Sequence, residues 1–432
     1  MSNRSLPKLV LLTLLISVAA FVTVRLRQPP PAPPEAGPAL PSLVDRVNDV
    51  ARITIQRASA STSLVRIAEG DGVKWTLPDR DGFPADPDRV RERLLQLRDL
   101  RLREAKTSNP EFYARLGVQD VKQGDSSSPR TTLVTLFDGA GKDLGSLILG
   151  DTADLGTPSP DRPPVPGQYV RRPGELQSWL ADGSVWMDSE PMNWVDRRVV
   201  SIPRERLRSA TMHRLRAAGP AEPGATPDLK ISRPDPGVAT FEVADMPAGS
   251  SFKPNQVPDQ IISPLAFLSM EEVRKDPGTV VGQSDPEAAG DQAAVPASVV
   301  YETFDGVRVR VSTGFADGRW WASVHAEPNG EVFVPAAVPE GESEAARSER
   351  ESADAARSAR FTSAATEMER LNARVKGWLF AIPQFEARRL SASLEDLLAP
   401  PTPTEPAPPV GPAQPGSLPE GSPLPPPPAG QP

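Results

Sequence analysis

The sequence contains no cysteine, which excludes disulfide bonds, thiol nucleophiles and Cys-ligated zinc or iron–sulfur centres. Histidine is nearly absent too, because His213 and His325 are the only two, and neither belongs to an HExxH spacing. The chain also lacks a Walker loop and a Gly-x-Gly-x-x-Gly motif, so the usual nucleotide-binding classes are excluded. We therefore expect no metal and no cofactor.

An excess of basic residues is also missing. The formal net charge is −8 and the pI is about 5.2, which argues against bulk binding to nucleic acid or to anionic lipid. A local basic patch stays open. The 432 residues suffice for two domains and tails, and the 52 prolines cluster near both ends, where we expect no packed structure.

The N-terminal stretch predicts a membrane anchor. Leu9 to Val24 carries no charge and would span roughly 24 Å as a helix, short of the roughly 30 Å hydrocarbon core, so flanking basic residues would have to snorkel. A cleaved signal peptide ending near Ser17-Val18-Ala19 and a buried core helix are the alternatives. We expect residues 1–27 to form a cytoplasmic stub and a single inner-membrane span, 28–41 a proline-rich linker, and the rest to lie in the periplasm.

The first α+β module is expected over residues 42–208. Within Trp75 to Leu100, Asp86 is positioned to cap a helix that starts at Pro87, and apolar residues at three- and four-residue steps predict packing on a sheet. Pro173 to Gly183 is interpreted as a short helix. We expect Trp186 and Trp194 to be core anchors, since aromatic side chains bury the most area.

A weaker copy of this pattern follows at 209–398 and predicts a second, diverged α+β module. A shift of 167 aligns Pro87 with Pro254 and carries Phe137-Asp138-Gly139 onto Phe304-Asp305-Gly306, while a shift of 166 places Trp75 on Phe241. Prolines at 258 and 264 predict that the second helix is short, kinked or broken. Both sheets should be antiparallel with helices packed on them.

The region 340–376 predicts a long helical insertion in the second module. Its first half combines alanine with alternating charge, which is typical of a solvated face, with a partner-binding helix as the alternative. Residues 399–432 are expected to form a disordered proline-rich tail, which is either a spacer or a ligand for an aromatic groove.

Three groups of residues are candidates for chemistry or ligand binding. The acidic cluster Asp79, Asp81, Asp86 and Asp88 is explained by capping and solvation better than by a calcium or glycosidase site. A Ser-His-Asp triad would need a histidine in a pocket, and no Gly-x-Ser-x-Gly elbow exists. Strand alternation should expose one of Trp320 and Trp321, which makes this pair a candidate ligand or partner surface.

Several short motifs stand out in the chain. They are Trp75-x-Leu77, Pro84-Ala85-Asp86, YARLG at 113–117, LILG at 147–150, Tyr169-Val170 and WVDRR at 194–198. Together they resemble the bacterial family known as domain of unknown function 4340, over about residues 50 to 210 and, more weakly, 210 to 398. The resemblance implies an envelope protein with one N-terminal membrane segment and tandem α+β modules, often associated with ABC-type transport systems similar to gliding-motility auxiliary components. It implies no catalytic residues.

From these observations we expect a non-enzymatic accessory protein that binds a membrane or envelope protein, such as an ABC-type permease. The alternative is an envelope module that binds glycan or peptide through Trp320 and Trp321. A hydrolase is the third class, and it would require His213 or His325 beside Ser and Asp.

Overall fold

The computed structural model describes residues 37–70, 72–122, 124, 130–155, 165–215, 228–253, 258–280, 284, 294–329 and 343–399. The predicted membrane span at 9–24, most of the predicted linker and the predicted tail from residue 400 lie outside these ranges. Among the described helices, none is both long enough and apolar enough to cross a bilayer.

The first large sheet has nine strands, and all their pairings are antiparallel. Its spatial order is β4-β3-β2-β1-β6-β7-β8-β9-β5. Two helices, α1 (Pro87–Asp99) and α2 (Tyr113–Leu116), accompany it. The strands are β1 (Val50–Gln56), β2 (Ser61–Glu69), β3 (Gly72–Leu77), β4 (Phe83–Pro84), β5 (Arg101–Ala105), β6 (Thr132–Asp138), β7 (Asp143–Asp154), β8 (Pro166–Arg171) and β9 (Ser178–Asp182).

Helix α1 begins where the sequence predicts it. The Asp86 carboxylate accepts hydrogen bonds from the amides of Asp88 at 3.0 Å and Arg89 at 3.2 Å, which caps the helix, and Pro87 occupies the first turn. Its apolar stripe, Val90, Leu94 and Leu97, is buried. The prediction of one helix packed on one sheet is confirmed.

The predicted helix at Pro173 to Gly183 is wrong, because residues 178–182 form strand β9. This strand pairs with β8 on one edge and with β5 on the other, so both of its rows of backbone groups are satisfied by the sheet. Leu176, inside the predicted helix, is 64% exposed.

The second large sheet has eight antiparallel strands in the order β13-β12-β11-β16-β17-β18-β19-β15. A separate antiparallel pair joins β10 (Arg198–Val200), which follows the first sheet in the chain, to β14 (Leu268–Ser269), which lies between β13 and β15 in the chain. The other strands are β11 (Leu207–Arg214), β12 (Leu229–Ser232), β13 (Glu242–Val243), β15 (Glu272–Lys275), β16 (Ala297–Thr303), β17 (Val307–Ala316), β18 (Arg319–Pro328) and β19 (Trp378–Ile382). The helices are α3 (Pro258–Ala266), α4 (Glu344–Val375), α5 (Gln384–Leu390) and α6 (Leu394–Leu397).

The two sheets share one order of strands. Without its edge strand β4, the first sheet has the order β3-β2-β1-β6-β7-β8-β9-β5. The second sheet has the same order with ten added to each strand number. The registers agree as well, because the β1–β6 ladder is irregular between Val50 and Arg52 and the β11–β16 ladder between Leu207 and Ser209. The chain is therefore α+β, with antiparallel sheets as its framework.

These registers correct the predicted alignment. They place Trp75 and Phe241 at equivalent positions, in agreement with the shift of 166. The pair Val50 and Asp138 in the β1–β6 ladder is equivalent to the pair Leu207 and Thr303 in the β11–β16 ladder. Asp138 therefore corresponds to Thr303, so the shift there is 165 rather than 167. The two Phe-Asp-Gly sequences lie in the two hairpin regions but two residues out of step.

Helix α3 is short, as its prolines predict. It has nine residues against thirteen in α1, begins at Pro258 and contains Pro264. Pro254, which the shift of 167 aligned with Pro87, is outside the described residues. Pro258, four positions later, occupies the first turn of α3. Proline is tolerated there because the N–H groups of the first turn have no partner within the helix.

The C-terminal end of the predicted linker packs against the first sheet. The Ala39 amide donates to the Leu100 carbonyl at 2.8 Å, and the Leu102 amide donates to the Gly37 carbonyl at 2.8 Å. Ala39 and Leu40 are buried. Residues from 37 onward thus pack with the first module instead of forming a spacer.

Candidate functional site

Trp320 and Trp321 are both buried, so the prediction that one of them is exposed is wrong. The alternation of β18 does send the two rings to opposite faces, but both faces are covered. Trp320 packs in the main core near Phe315, with 5.5 Å between ring centroids. Trp321 lies in a small cluster with Val280, its indole N–H donates to the Ala316 carbonyl, and the Arg274 guanidinium covers its ring at 4.1 Å.

The exposed tryptophan of the described chain is Trp186, which the sequence predicted as a core anchor. Its side chain is 60% exposed, whereas Trp194 is buried as predicted. The Arg57 guanidinium lies 4.8 Å from the Trp186 ring, and the indole N–H is 3.4 Å from the Asp188 carboxylate. Burial raises the pKa of Asp188, but hydrogen bonds, the first from the Glu190 amide, outweigh it and hold the pKa below its ordinary value. The indole is thus held in place by charged neighbours.

The histidines lie apart from each other on the second sheet. His213 is in β11, and its Nδ1 is buried with no hydrogen-bond partner among the described residues. His325 is exposed on β18. Within the ranges that the structure describes, neither imidazole is hydrogen-bonded to a serine or aspartate, and no three His, Cys, Asp or Glu side chains are grouped as metal ligands.

The acidic cluster of the first module is divided among structural tasks. Asp79 accepts a hydrogen bond from the Ser63 amide at 3.1 Å, and Asp86 caps α1. Asp88 pairs with an arginine one turn later. Asp81 reaches the second sheet, where its carboxylate accepts from the amide of Lys275, the last residue of β15, at 3.0 Å.

Asp81 is part of a junction between the two sheets, formed by the segment 80–83 against β15 and β19. Arg80 is paired with Glu272 at 2.5 Å. The Phe83 ring meets the Trp378 ring edge-on, with 4.9 Å between centroids and an interplanar angle of 87°. One continuous cluster of buried side chains extends through both sheets. The two halves therefore share a core.

A second set of contacts ties helix α4 to the same junction. The Arg374 guanidinium is 3.3 Å from the Asp196 carboxylate and also donates to the backbone carbonyls of Asp196 and Arg198. Burial raises the pKa of Asp196, but hydrogen bonds from the Arg198 amide and side chain and the charge of the nearby guanidinium groups lower it by more. The pKa therefore lies below its ordinary value. A cavity of about 270 Å³ lies between Phe83, Asp86, Asp196 and Arg374.

One known protein family matches this chain. The family model described as domain of unknown function (DUF4340) matches residues 75–293, just over half of the 432-residue chain. The chain belongs to the DUF4340 family. No curated protein and no solved structure gives a significant match.

The DUF4340 match begins at Trp75 and takes in the Trp75 to Leu100 stretch, but it ends before β16. Helix α4 and the strands β16 to β19 therefore lie outside the matched residues.

Helix α4 divides into two halves with different surroundings. In the anchored half, residues 364–375, Ala364, Met368 and Val375 are buried and Glu367 pairs with Arg206 at 2.8 Å. In the exposed half, residues 344–363, none is buried. At about 1.5 Å per residue the exposed half is roughly 30 Å long.

The sequence of the exposed half explains why it forms a helix without a core. Alanine has the best helix propensity, and Ser343 caps the first turn by accepting from the Ala346 amide at 3.3 Å. Asp354 pairs with Arg350 at 3.5 Å and with Arg357 at 3.4 Å, at the spacings that stabilise a helix surface. The predicted helix is confirmed, and its first half is not buried by the described part of the chain.

Proposed function

We propose that this protein is a membrane-anchored accessory component of an ABC-type transport or envelope complex, with most of its chain in the periplasm. It acts by binding a partner protein and not by catalysis. The single observation that carries the proposal is the exposed half of α4, a helix of about 30 Å that has no buried residue.

An exposed helix of this length presents a long surface that no described part of the chain covers. Isolated helices are marginal below about 12–15 residues, and most helices in proteins are stabilised by tertiary packing. Here only the anchored half receives such packing. A partner protein would supply the packing for the remainder, as in the helix-in-groove mode of recognition.

The composition of the exposed half favours a protein over a lipid surface. Four acidic and four basic residues cancel in residues 344–363, so the segment has no net charge to attract anionic lipid. One face carries only small side chains, which would let another helix approach closely. These are Ala345, Ser348, Ser352, Ala355, Ala359 and Ser363.

Capture experiments with a blocked face test the proposal. Ser348→Arg, Ser352→Arg and Ala359→Arg place three bulky cations on the small face. The matched control introduces three arginines at exposed positions of the first module, Ser61, Ala114 and Ala140. Gentle solubilisation should recover a permease or other envelope component with the control and lose it with the blocked variant.

The proposal is contradicted if both variants recover the same partners, or if neither they nor the wild type recovers a transport or envelope component. Folding of the blocked variant is checked by its thermal midpoint, which should match that of the control because none of these positions is buried.

The anchor and the duplication are part of the same proposal. We infer that residues 9–24 span the inner membrane once and that the two modules, 42–208 and 209–398, arose from one. The shared strand order and the matching ladder irregularities support the second inference. Resistance to carbonate extraction, with protease cleavage only after the outer membrane is opened, tests the first. Release by carbonate would contradict it.

A glycan- or peptide-binding role is the second candidate, and the observation behind it moves from Trp320 and Trp321 to Trp186. The indole is 60% exposed and oriented by Arg57, as a stacking platform requires. Binding of envelope glycan fragments that is lost in Trp186→Ala but kept in Leu176→Ala, another exposed apolar position, would favour it. No difference between the two variants would remove it.

A further inference from the structure

Strand β18 has an open edge. It is ten residues long, but its pairing with β19 involves only Trp320, Trp321 and Ala322. Beyond that point the side-chain amide of Asn372, from α4, takes the place of a strand. It accepts from the Ala326 amide at 2.9 Å and donates to the Ala326 carbonyl at 2.7 Å. Between Ala322 and Ala326 no described strand pairs with this edge.

A cavity of about 190 Å³ lies at this opening. Four of its side chains come from one face of the β17–β18 hairpin, where Arg310 pairs with His325 and Ser312 pairs with Ser323. Directly opposite residues in antiparallel strands have Cβ atoms about 5 Å apart, so this patch is compact. The opposite wall is the turn Lys376-Gly377-Trp378 together with Asp276.

The charges around the cavity are incompletely neutralised. The only carboxylate paired with Arg310 in the described chain is Glu327, at 3.9 Å, and Arg308 shares that carboxylate at 3.7 Å. Neither the His325 imidazole nor the Lys376 ammonium makes a hydrogen bond or ion pair with a described residue. By contrast, Arg206 pairs with two carboxylates within 2.8 Å.

The groups that line the cavity are mainly donors. A guanidinium, an ammonium, an imidazole and two hydroxyls line it together with Asp276, whose carboxylate accepts from the Gly278 amide at 2.7 Å. The Ser312 hydroxyl also lies 3.1 Å from the Ser298 hydroxyl, and the Ser323 hydroxyl donates to the Ser312 carbonyl at 3.5 Å. Arginine, lysine and serine donors are the groups that recognise phosphate oxygens. The volume is below the roughly 300 Å³ of the smallest drug-sized pockets, so the cavity suits a small group.

We propose that this cavity, lined by Arg310, Ser312, Ser323, His325 and Lys376, binds a phosphate group. The ligand is either a small soluble phosphate monoester or the headgroup of an anionic phospholipid, because both present the same oxygens. The site is independent of the exposed half of α4, so it can be tested separately from the proposed partner binding.

Calorimetric titration of the full-length chain with inorganic phosphate and with glycerol phosphate tests the soluble arm. Flotation with vesicles of phosphatidylcholine alone, or with added phosphatidylglycerol or phosphatidic acid, tests the lipid arm. Binding in the first experiment only identifies a soluble phosphate ligand, and anion-dependent flotation identifies a lipid headgroup.

Arg310→Gln and Lys376→Gln should each weaken whichever binding is seen by about tenfold or more, since a hydrogen bond to a charged group contributes about 1.5–3 kcal/mol. Arg347→Gln removes the same charge from the exposed half of α4 and should leave binding unchanged. The three variants should share the wild-type thermal midpoint, because all these side chains are exposed.

Absence of binding in both arms overturns the proposal. So does binding that Arg310→Gln and Lys376→Gln leave intact, or that Arg347→Gln weakens equally, because the phosphate would then be held by the general field of the protein and not by this cavity.

Discussion

The two large sheets have the same order of strands, yet they differ in how far two equivalent strands pair. In the first sheet β8 pairs with β9 through five residue pairs, although β8 has only six residues. In the second sheet β18 has ten residues and pairs with β19 through three. Beyond Ala322 no described strand pairs with this edge of β18, which contacts Asn372 of α4 and borders the cavity. The two sheets therefore differ here in the length of the pairing and not in the order of the strands.

The shared core of the two sheets gives the largest predicted effect. Phe83→Ala removes a buried ring that contacts both Trp378 and Phe380 across the junction. We expect a loss of about 4 kcal/mol in the free energy of unfolding, as for other buried phenylalanines. Urea denaturation followed by fluorescence measures it, with exposed Val73→Ala as the control that should cost little. A small loss for Phe83→Ala would mean that the sheets are energetically separate.

Helices α1 and α3 each pack a buried aliphatic side chain into the core. Leu97 in α1 and Ile262 in α3 are both fully buried, so replacing either with alanine should cost about 3 kcal/mol. Equal losses, measured by the same denaturation, would indicate that the shorter helix supports its sheet as well as the longer one. If Ile262→Ala is nearly neutral, α3 does not play the part of α1.

The open edge of β18 can be probed directly at Asn372. Removing its amide leaves the Ala326 N–H and carbonyl without their partners, and an unsatisfied buried backbone group costs about 1–3 kcal/mol. Asn372→Ala should therefore lower stability by about 2 kcal/mol, while Thr366→Ala at an exposed position of the same helix should have little effect. Hydrogen exchange at the Ala326 amide should quicken only in Asn372→Ala. Unchanged exchange there would contradict the role of Asn372 as a substitute strand.

The smallest predicted effect is a gain of stability near β16. Burial raises the pKa of Glu386 in α5, with Arg389 opposing, and one Glu386 carboxylate oxygen and the buried Tyr301 hydroxyl have no partner among the described residues. In the first sheet the registers place Leu136 where the second has Tyr301, so this polar pair is specific to the second module.

A carboxyl with a raised folded-state pKa stabilises the fold in acid, and this contribution is lost as the pH rises through that pKa. Glu386→Gln should therefore gain on the order of 1 kcal/mol at neutral pH and nothing in acid. Thermal midpoints of wild type and variant, compared at several pH values, measure the difference. A variant that is less stable than wild type at neutral pH would show that the ionised carboxylate is satisfied after all.

Much of the fold follows from local chemistry that the sequence displays. Asp86, Pro87 and the leucine stripe specify α1 through capping and periodicity, which depend on near neighbours only. The β9 segment resembles a short helix in sequence because its apolar run is buried by strands on both edges, and periodicity does not separate the two cases. The identical Phe-Asp-Gly turns predict a shift two residues larger than the ladder register, because the turn sequence does not fix the pairing of the strands.

The candidate surfaces are harder to predict because they depend on contacts between residues that are far apart in sequence. Alternation correctly separates the rings of Trp320 and Trp321, but Val280 and Arg274, which cover the outer face, are distant in sequence. Arg310 and His325 are fifteen residues apart and become neighbours through a hairpin, while Lys376 joins them only because α4 ends there. Alternating charge in the exposed half of α4, in contrast, predicted its exposure, since no tertiary contact was needed.

Binding of a partner protein by the exposed half of α4 is tested most directly by site-specific photocrosslinking in intact membranes. A crosslinker at Ser352, on the small face, is compared with one at Ser61, an exposed serine of the first module. We expect an adduct with a transport or envelope component from position 352 and none from position 61. No adduct from 352, or equal adducts from both positions, would contradict it.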